Sequence, residues 1–343
     1  MKTNFRSVFF SLLLSAKLIS SGQTPPIDVD ATIAEFILEE KQILVPGYPD
    51  AFNPSIIRWD DGRLLMSFRT RDPGTNTANL VGFVFLNEDY SPVGKATLLT
   101  IEGDFPLKLS KAQGLKLFKN RNIHMIAYNN ILDTEDLETR RMIVAHLYYN
   151  KGRFSIKNPE YITSFEGDPK HWREKNWSPF DYKGNIHFSY TVSPHRVFQL
   201  PRTSNACKTV ALTNPEIKWD WGEIHGGTPA IQDGEHFIGF FHSWKDLRSI
   251  QSANQKIAHF FIGAYLFDAR KSFPVTHISP EPIVGKTFYH APDYPTWKPV
   301  KVVYPGGFIL EKNYIWLVYG RQDHECWVAK IDKDALINSL VSL

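Results

Sequence analysis

Polar side chains able to do chemistry recur in this sequence at one kind of place. Asn53, Lys175 and Asn176 stand just before an apolar run; Arg69, Arg71, Asp72, Asn129, His242, Arg321, Asp323, His324 and Glu325 stand at or just after the end of one. Amides and carboxylates such as Asn53, Asn176 and Asp323 can hydrogen-bond pairs of hydroxyl groups. Arg69, Arg71 and Arg321 suit bidentate contact with a phosphate or a sugar nucleotide, and Lys175 adds a point charge. His242 is a candidate acid or base near neutral pH. Asp72, Asp323 and Glu325 are candidate proton donors, because a carboxyl in a narrow, partly dry site has its pKa raised. Trp177, Tyr265 and Tyr319 are candidate stacking faces for a ring. Together these types describe a site for a carbohydrate, with or without a phosphate.

Other chemistries find less support. His225 and His242 lack the spacing of a metal site, no EF-hand pattern occurs, and only Cys207 and Cys326 are present, so neither a metal nor a cysteine-rich scaffold is expected. No phosphate-cradling glycine loop or Gly-x-Ser-x-Gly elbow appears, and no cofactor is expected. The acidic run Asp133–Glu138 reads as a solvated loop.

The chain begins with Lys2 and Arg6, an apolar stretch Ser7–Ala16 and the small residues Ser20-Ser21-Gly22, which predicts a signal peptide over 1–22 and a secreted or periplasmic product. Lys17 is an awkward charge in that leader, and an uncleaved or cytosolic N-terminus is the alternative. The stretch is too short for an integral membrane span. The formal charge of +3 equals the leader's Lys2, Arg6 and Lys17, leaving 36 basic against 36 acidic residues. That balance removes the electrostatic footprint of a nucleic-acid partner.

The candidate residues are positioned by an internal repeat. Asn53–Thr70, Ala112–Asn130, Asn176–Ser193, Gly226–Ser243 and Tyr304–Arg321 each hold a short apolar run, a polar turn and an aromatic-rich alternating run. The turns are Asp61-Gly62, Asn120-Arg121, Lys183-Gly184, Asp233-Gly234 and Lys312-Asn313. A third apolar segment follows each copy. Repeats of three or four strands predict an all-β, five-bladed β-propeller filling 23–343 as one domain, with a two-sheet sandwich as the alternative. The last copy ends after its third strand, so a strand near Lys41–Gly47 is expected to complete it. A tight hairpin brings the start of the first strand and the end of the second to one rim, where the long connections and the candidate residues converge.

With these residues in place, the chain resembles the five-bladed propellers of glycoside hydrolase family 130 and their related mannosyltransferases. The likeness covers most of the chain after Ile43 and is carried by Gly226–His242, by Phe261–Ile283, and by Val302–Ile309 with Ile315–Ile331. It implies action on a β-mannoside, as phosphorylase, hydrolase or mannosyltransferase, with phosphate or a sugar nucleotide as possible partner. It places Asn53 at a sugar-binding amide, Lys175 at a cationic position, His242 at the end of the fourth-repeat second strand, and Asp323 in the last motif. The family's Glu-Asp-x-Arg motif falls on Gln113, Gly114, Leu115 and Lys116, so the expected acid is missing at Gly114. That departure raises a second possibility, a catalytically inactive glycan-binding propeller. A third is a protein-interaction propeller.

Overall fold

The computed structural model describes residues 25–71, 78–102, 112–131, 140–168, 174–213, 215, 217–270, 272–296 and 298–343. The described chain is all-β apart from a short 3₁₀ turn (Val29–Thr32) and one helix (Lys333–Ser339), and its sheets take a propeller arrangement. Among the described residues no helix is long and apolar enough to cross a membrane. The predicted leader, 1–22, lies outside them.

Each repeat is a hairpin extended outward. The first-repeat sheet runs Phe52–Arg58, Leu64–Arg71, Ala78–Leu86 and Pro92–Leu98, and the third Ser178–Tyr182, Asn185–Val192, His195–Gln199 and Lys208–Thr213. The second runs Gln113–Asn120, Ile123–Ile131, Arg140–Asn150 and Arg153–Tyr161, with Thr100–Glu102 added in parallel at its outer edge. In the last sheet Val303–Leu310, Tyr314–Arg321 and Glu325–Asp332 are joined by Ile37–Ile43, antiparallel to Glu325–Asp332 with Glu40 opposite Ala329. The expected closing strand is therefore present, a few residues earlier than Lys41–Gly47.

The fourth-repeat sheet is different. Its inner strand is broken into His225–Gly226 and Ile231–Asp233, both paired with His236–Arg248. Thr228 and Pro229 fall in the break. A Cβ on Gly226 would meet the Asn176 carbonyl at 2.0 Å and one on Gly227 the Phe240 carbonyl at 2.4 Å, so side chains are shut out there, and Pro229 has no N–H for a ladder. Counting only sheets with four unbroken strands paired antiparallel in a row gives four blades, not the five predicted.

Apolar residues alternate along the strands and fill the spaces between sheets. Ile57 and Phe83 of the first sheet meet Leu117 and Ile126 of the second. Trp177 and Phe198 meet Met125 and Val144, Tyr265 and Phe241 meet Phe180 and Val197, and Phe308 and Leu317 meet Phe240 and Ala264. Ile56 and Met66 meet Val318 and Val328. Trp177, Tyr265 and Tyr319 are each at most 1% exposed, so none of them is a stacking face for a ligand. They are core, because the alternation that makes an inner strand also turns its aromatics between the sheets. Cys207 and Cys326 are buried free thiols.

The inner strands leave a cavity of about 540 Å³ at their turn-bearing end, lined by Ile56, Leu117, Phe180, Ile231 and Phe308, one from each sheet. That end is apolar. The groups able to do chemistry gather at the opposite end.

Candidate functional site: a cationic cluster at the inner strand starts

Three inner strands begin with a residue in the left-handed region: Asn53 at φ 48°, Gly114 at φ 61° and Asn176 at φ 65°. Asparagine and glycine tolerate that conformation best. Two residues later each strand joins the regular ladder, where Ser55 faces Ser67, Lys116 faces Ala127 and Ser178 faces Ser189. Thr228, whose hydroxyl accepts from Phe240 N at 3.0 Å, fills the same place in the fourth repeat. Lys116 is thus an ammonium where the other three have a small hydroxyl. The registers also set Arg69 opposite Phe52, Asn129 opposite Gln113 and His242 opposite His225, so the second strands end at the same rim.

Lys116 is 0% exposed, and its Nζ donates to the Tyr304 hydroxyl at 2.9 Å while lying 4.5 Å from the Tyr304 ring centre. Tyr304 Oη donates in turn to Asn176 Oδ1 at 3.3 Å. Asn53 Nδ2 donates to Asp323 Oδ1 at 3.4 Å, and Asn53 Oδ1 is buried without a protein partner. Arg71 Nη2 donates to the Asp323 carbonyl at 3.3 Å, and Arg71 is held from the other side by Asp50 at 3.5 Å. Arg140 Nη1 donates to Asn129 Oδ1 at 3.1 Å, and Asn129 Nδ2 to the Gln113 carbonyl at 3.1 Å. His242 Nδ1 donates to the Gly226 carbonyl at 2.9 Å, which leaves Nε2 as the lone-pair nitrogen of a neutral ring. That ring lies 5.0 Å from Tyr304 and 5.5 Å from His225.

The cluster carries more positive than negative charge, and burial makes the cations costly. Desolvation draws Lys116 down to about 7. Desolvation also draws Arg69 down to about 10, with Arg140 and Arg71 pushing the same way and Asp323 opposing. His242 is held well below the usual histidine value, first by burial and then by His225, Lys116 and Lys175. His225 is lowered by burial and by Lys175, against Glu223. An anion entering here would relieve these penalties.

Of the candidates read from the sequence, the structure brings Asn53, Arg69, Arg71, Asn176, His242 and Asp323 together, with exposed Lys175 close enough to bias both histidines. It does not bring Arg321, His324 and Glu325 there. Glu325 Oε2 accepts from Arg321 Nε at 2.5 Å and Trp327 Nε1 at 2.7 Å, and its Oε1 accepts from Tyr294 Oη at 2.7 Å. Arg321 also donates to the Thr287 carbonyl, and His324 stacks on Tyr294 at 4.4 Å with Nδ1 on the Gln322 carbonyl. Burial raises the Glu325 carboxyl, but the hydrogen bonds from Arg321, Tyr294 and Trp327 outweigh it and keep the pKa below the ordinary value. Glu325 is therefore an ionised structural group rather than a proton donor. Asp72 lies outside the described residues. Lys116, Tyr304, Arg140 and His225 are members that sequence reasoning passed over as ligands; the signal available was Lys116 standing where the first, third and fourth repeats place Ser or Thr.

The fold and this cluster define a β-propeller with a basic, amide-rich centre at its loop end. No family model matches the chain, and no curated protein matches it. Solved structures do. One, from work stating that the GH130 family of mannoside phosphorylases contains glycoside hydrolases that target beta-1,2 mannosidic linkages in Candida mannan, is 14% identical with TM-score 0.60, covering 83% of this chain and 85% of that one. MPT-4, a mannose phosphorylase from Leishmania mexicana in complex with phosphate ion, is 12% identical with TM-score 0.55 over 92% and 93% of the two chains. MPT-1, a GDP-Man-dependent mannosyltransferase from the same organism, is 10% identical with TM-score 0.52 over 87% and 90%. The fold is GH130-like.

Proposed function

We propose that this protein is a carbohydrate-active enzyme that cleaves or forms a glycosidic bond on a mannose-containing glycan, using phosphate or a sugar nucleotide as its anionic partner. The observation that carries the reading is the pairing of sugar-suited groups (Asn53 with Asp323, Asn176 with Tyr304) and a surplus of buried cations in one cluster. Hydroxyl pairs suit the first and a phosphate the second. The phosphate bound by one neighbour and the GDP-Man dependence of another support it. We further take each of the five sheets as one blade: the inner strands touch in sequence, Leu117 N donating to Ser55 Oγ and Asn120 to Asp181, and Gly306 of the last sheet lies against Pro54 of the first.

The test is a panel of β-mannosides incubated with and without inorganic phosphate, and with GDP-mannose and an acceptor. Release of mannose 1-phosphate, release of mannose, or transfer distinguishes phosphorylase, hydrolase and transferase. Glycan binding without turnover is the second reading, favoured by Gly114 at the position of the family acid, and calorimetry with the same glycans detects it. Silence in every arm would defeat both. Export is part of the proposal, with 1–22 removed and 23–343 as the mature domain. N-terminal sequencing of protein recovered outside the cytosol checks it.

A further inference from the structure

The cluster holds no carboxyl where the resemblance leads one to expect an acid. A Cβ at Gly114 would lie 3.4 Å from Asn129 Nδ2 and 3.8 Å from Asn176 Oδ1, so the gap is faced by two amides. Asn176 Oδ1 is the atom that accepts the Tyr304 hydroxyl. The phenol therefore lies one hydrogen bond from the place an acid would occupy, and Tyr304 is partly exposed. Behind it stands Lys116, closed off from solvent and donating to the same oxygen. Among the described residues the cluster's own carboxyl, Asp323, accepts from Asn53 Nδ2; Glu174 accepts from Trp177 Nε1 in the core, and Glu325 is fully engaged with Arg321, Tyr294 and Trp327.

We propose that Tyr304 is the catalytic proton donor to the departing glycosidic oxygen and that Lys116, acting through it, resupplies the proton. This rests on the enzymatic reading above. In the step, the C1–O bond breaks and its electron pair stays on the leaving oxygen, which takes the Tyr304 hydroxyl proton in place of Asn176 Oδ1. A Lys116 N–H proton moves to the Tyr304 oxygen, leaving a neutral amine. Water or inorganic phosphate forms the new bond at C1, any proton it carries in excess passes to solvent, and once the product has left Lys116 recovers its own proton through the partly exposed Tyr304 hydroxyl. Burial disfavours phenolate, so a concerted transfer avoids forming one. The same burial brings the ammonium to about 7, in the range where an acid both holds and yields a proton at neutral pH. Of the charged groups around the pair, Arg69 and Asp323 act on Tyr304, while His242, 5.0 Å from the Tyr304 ring, is itself lowered by His225, Lys116 and Lys175.

The experiment compares wild type, Tyr304→Phe, Lys116→Met and Lys116→Arg on methyl β-mannoside and on 2,4-dinitrophenyl β-mannoside across pH, with circular dichroism to confirm folding. Tyr304→Phe is expected to lose about 100-fold or more in kcat on the methyl glycoside while changing little on the dinitrophenyl glycoside, whose leaving group needs no proton. Wild-type turnover of the methyl glycoside should fall as pH rises above about 7, since the donor must be protonated. That limb should vanish with the dinitrophenyl substrate. Lys116→Arg keeps the charge but not the ability to yield it, and should behave like Lys116→Met in turnover. Equal losses on both substrates in Tyr304→Phe, or full activity in either Lys116 variant, would overturn the relay. Wild type that binds mannosides without turning them over would overturn the relay and leave glycan binding standing; absence of binding would overturn both.

Discussion

Two regions of this molecule each set a buried cation against an aromatic ring and resolve the charge in opposite ways. At the outer one, Arg321 lies 4.2 Å over Trp327, and its charge is met by Glu325, with side chains only 7% and 4% exposed. Every oxygen of that carboxylate is used. At the central one, Lys116 lies against Tyr304 and no carboxylate is hydrogen-bonded or ion-paired to it among the described residues. A neutralised, saturated pair fixes structure. A cation left against a phenol keeps its capacity to respond to a ligand or give up a proton.

Removing one half of the saturated pair should do the most damage. Glu325→Gln strands Arg321 in a dry site and is expected to cost about 3–5 kcal/mol of stability. Urea unfolding would measure it, and mannoside affinity at low temperature should be retained; a stable variant with lost affinity would reverse the assignment of the two regions.

Lys116→Met should move stability the other way, because it deletes a buried charge that has no carboxylate partner among the described residues and whose desolvation is costly. The sign has a pH signature. Lys116 is depressed from the ordinary lysine value to about 7, so the unfolded chain binds the extra proton between those values. Wild-type stability from this group is lowest below pH 7 and rises toward pH 10. Urea midpoints at pH 6 and pH 9 should therefore differ more in wild type than in Lys116→Met, and equal differences would contradict it.

The smallest effect on folding belongs to Asn53 and Asp323, the pair proposed to bind the sugar. Asp323→Ala and Asn53→Gly should weaken sugar binding by about 1–3 kcal/mol, read by calorimetry, with urea midpoints nearly unchanged. Glycine is chosen for Asn53 because of its φ of 48°. Loss of stability comparable to that of Glu325→Gln would show that these residues too are structural.

Much of the fold was legible because period-two alternation and turn dipeptides repeat through the chain, and because a last sheet short of a strand needs one from elsewhere. The break in the fourth repeat was not, since it depends on backbones of neighbouring sheets meeting at Gly226 and Gly227. At the site, Asn53 and Asn176 could be read from their place before a strand. Arg321 and Glu325 were misread because strand ends look alike in sequence while side chains alternate in direction: Gly320 lies against Asn53, and Arg321 points the other way, to Thr287. Lys116 was visible only as the basic end of the motif at Gln113–Lys116, and its meeting with Tyr304 was hidden by their surroundings. A lysine within an apolar run and a tyrosine before Pro305 look like a solvated charge and a core ring, and only the register reveals that they meet.

The strand Ile37–Ile43 is synthesised long before its partner Glu325–Asp332. Its hydrogen-bonding edge has to wait until the four sheets that lie between them in sequence have emerged, and the entropy of closing so long a loop falls on that late step. A ribosome stalled before residue 325 therefore carries an unpaired strand at one end and an unfinished sheet at the other, both open to wrong partners. Emergence of Glu325–Asp332 is thus the event that seals this molecule, and loss of either strand opens the same seam.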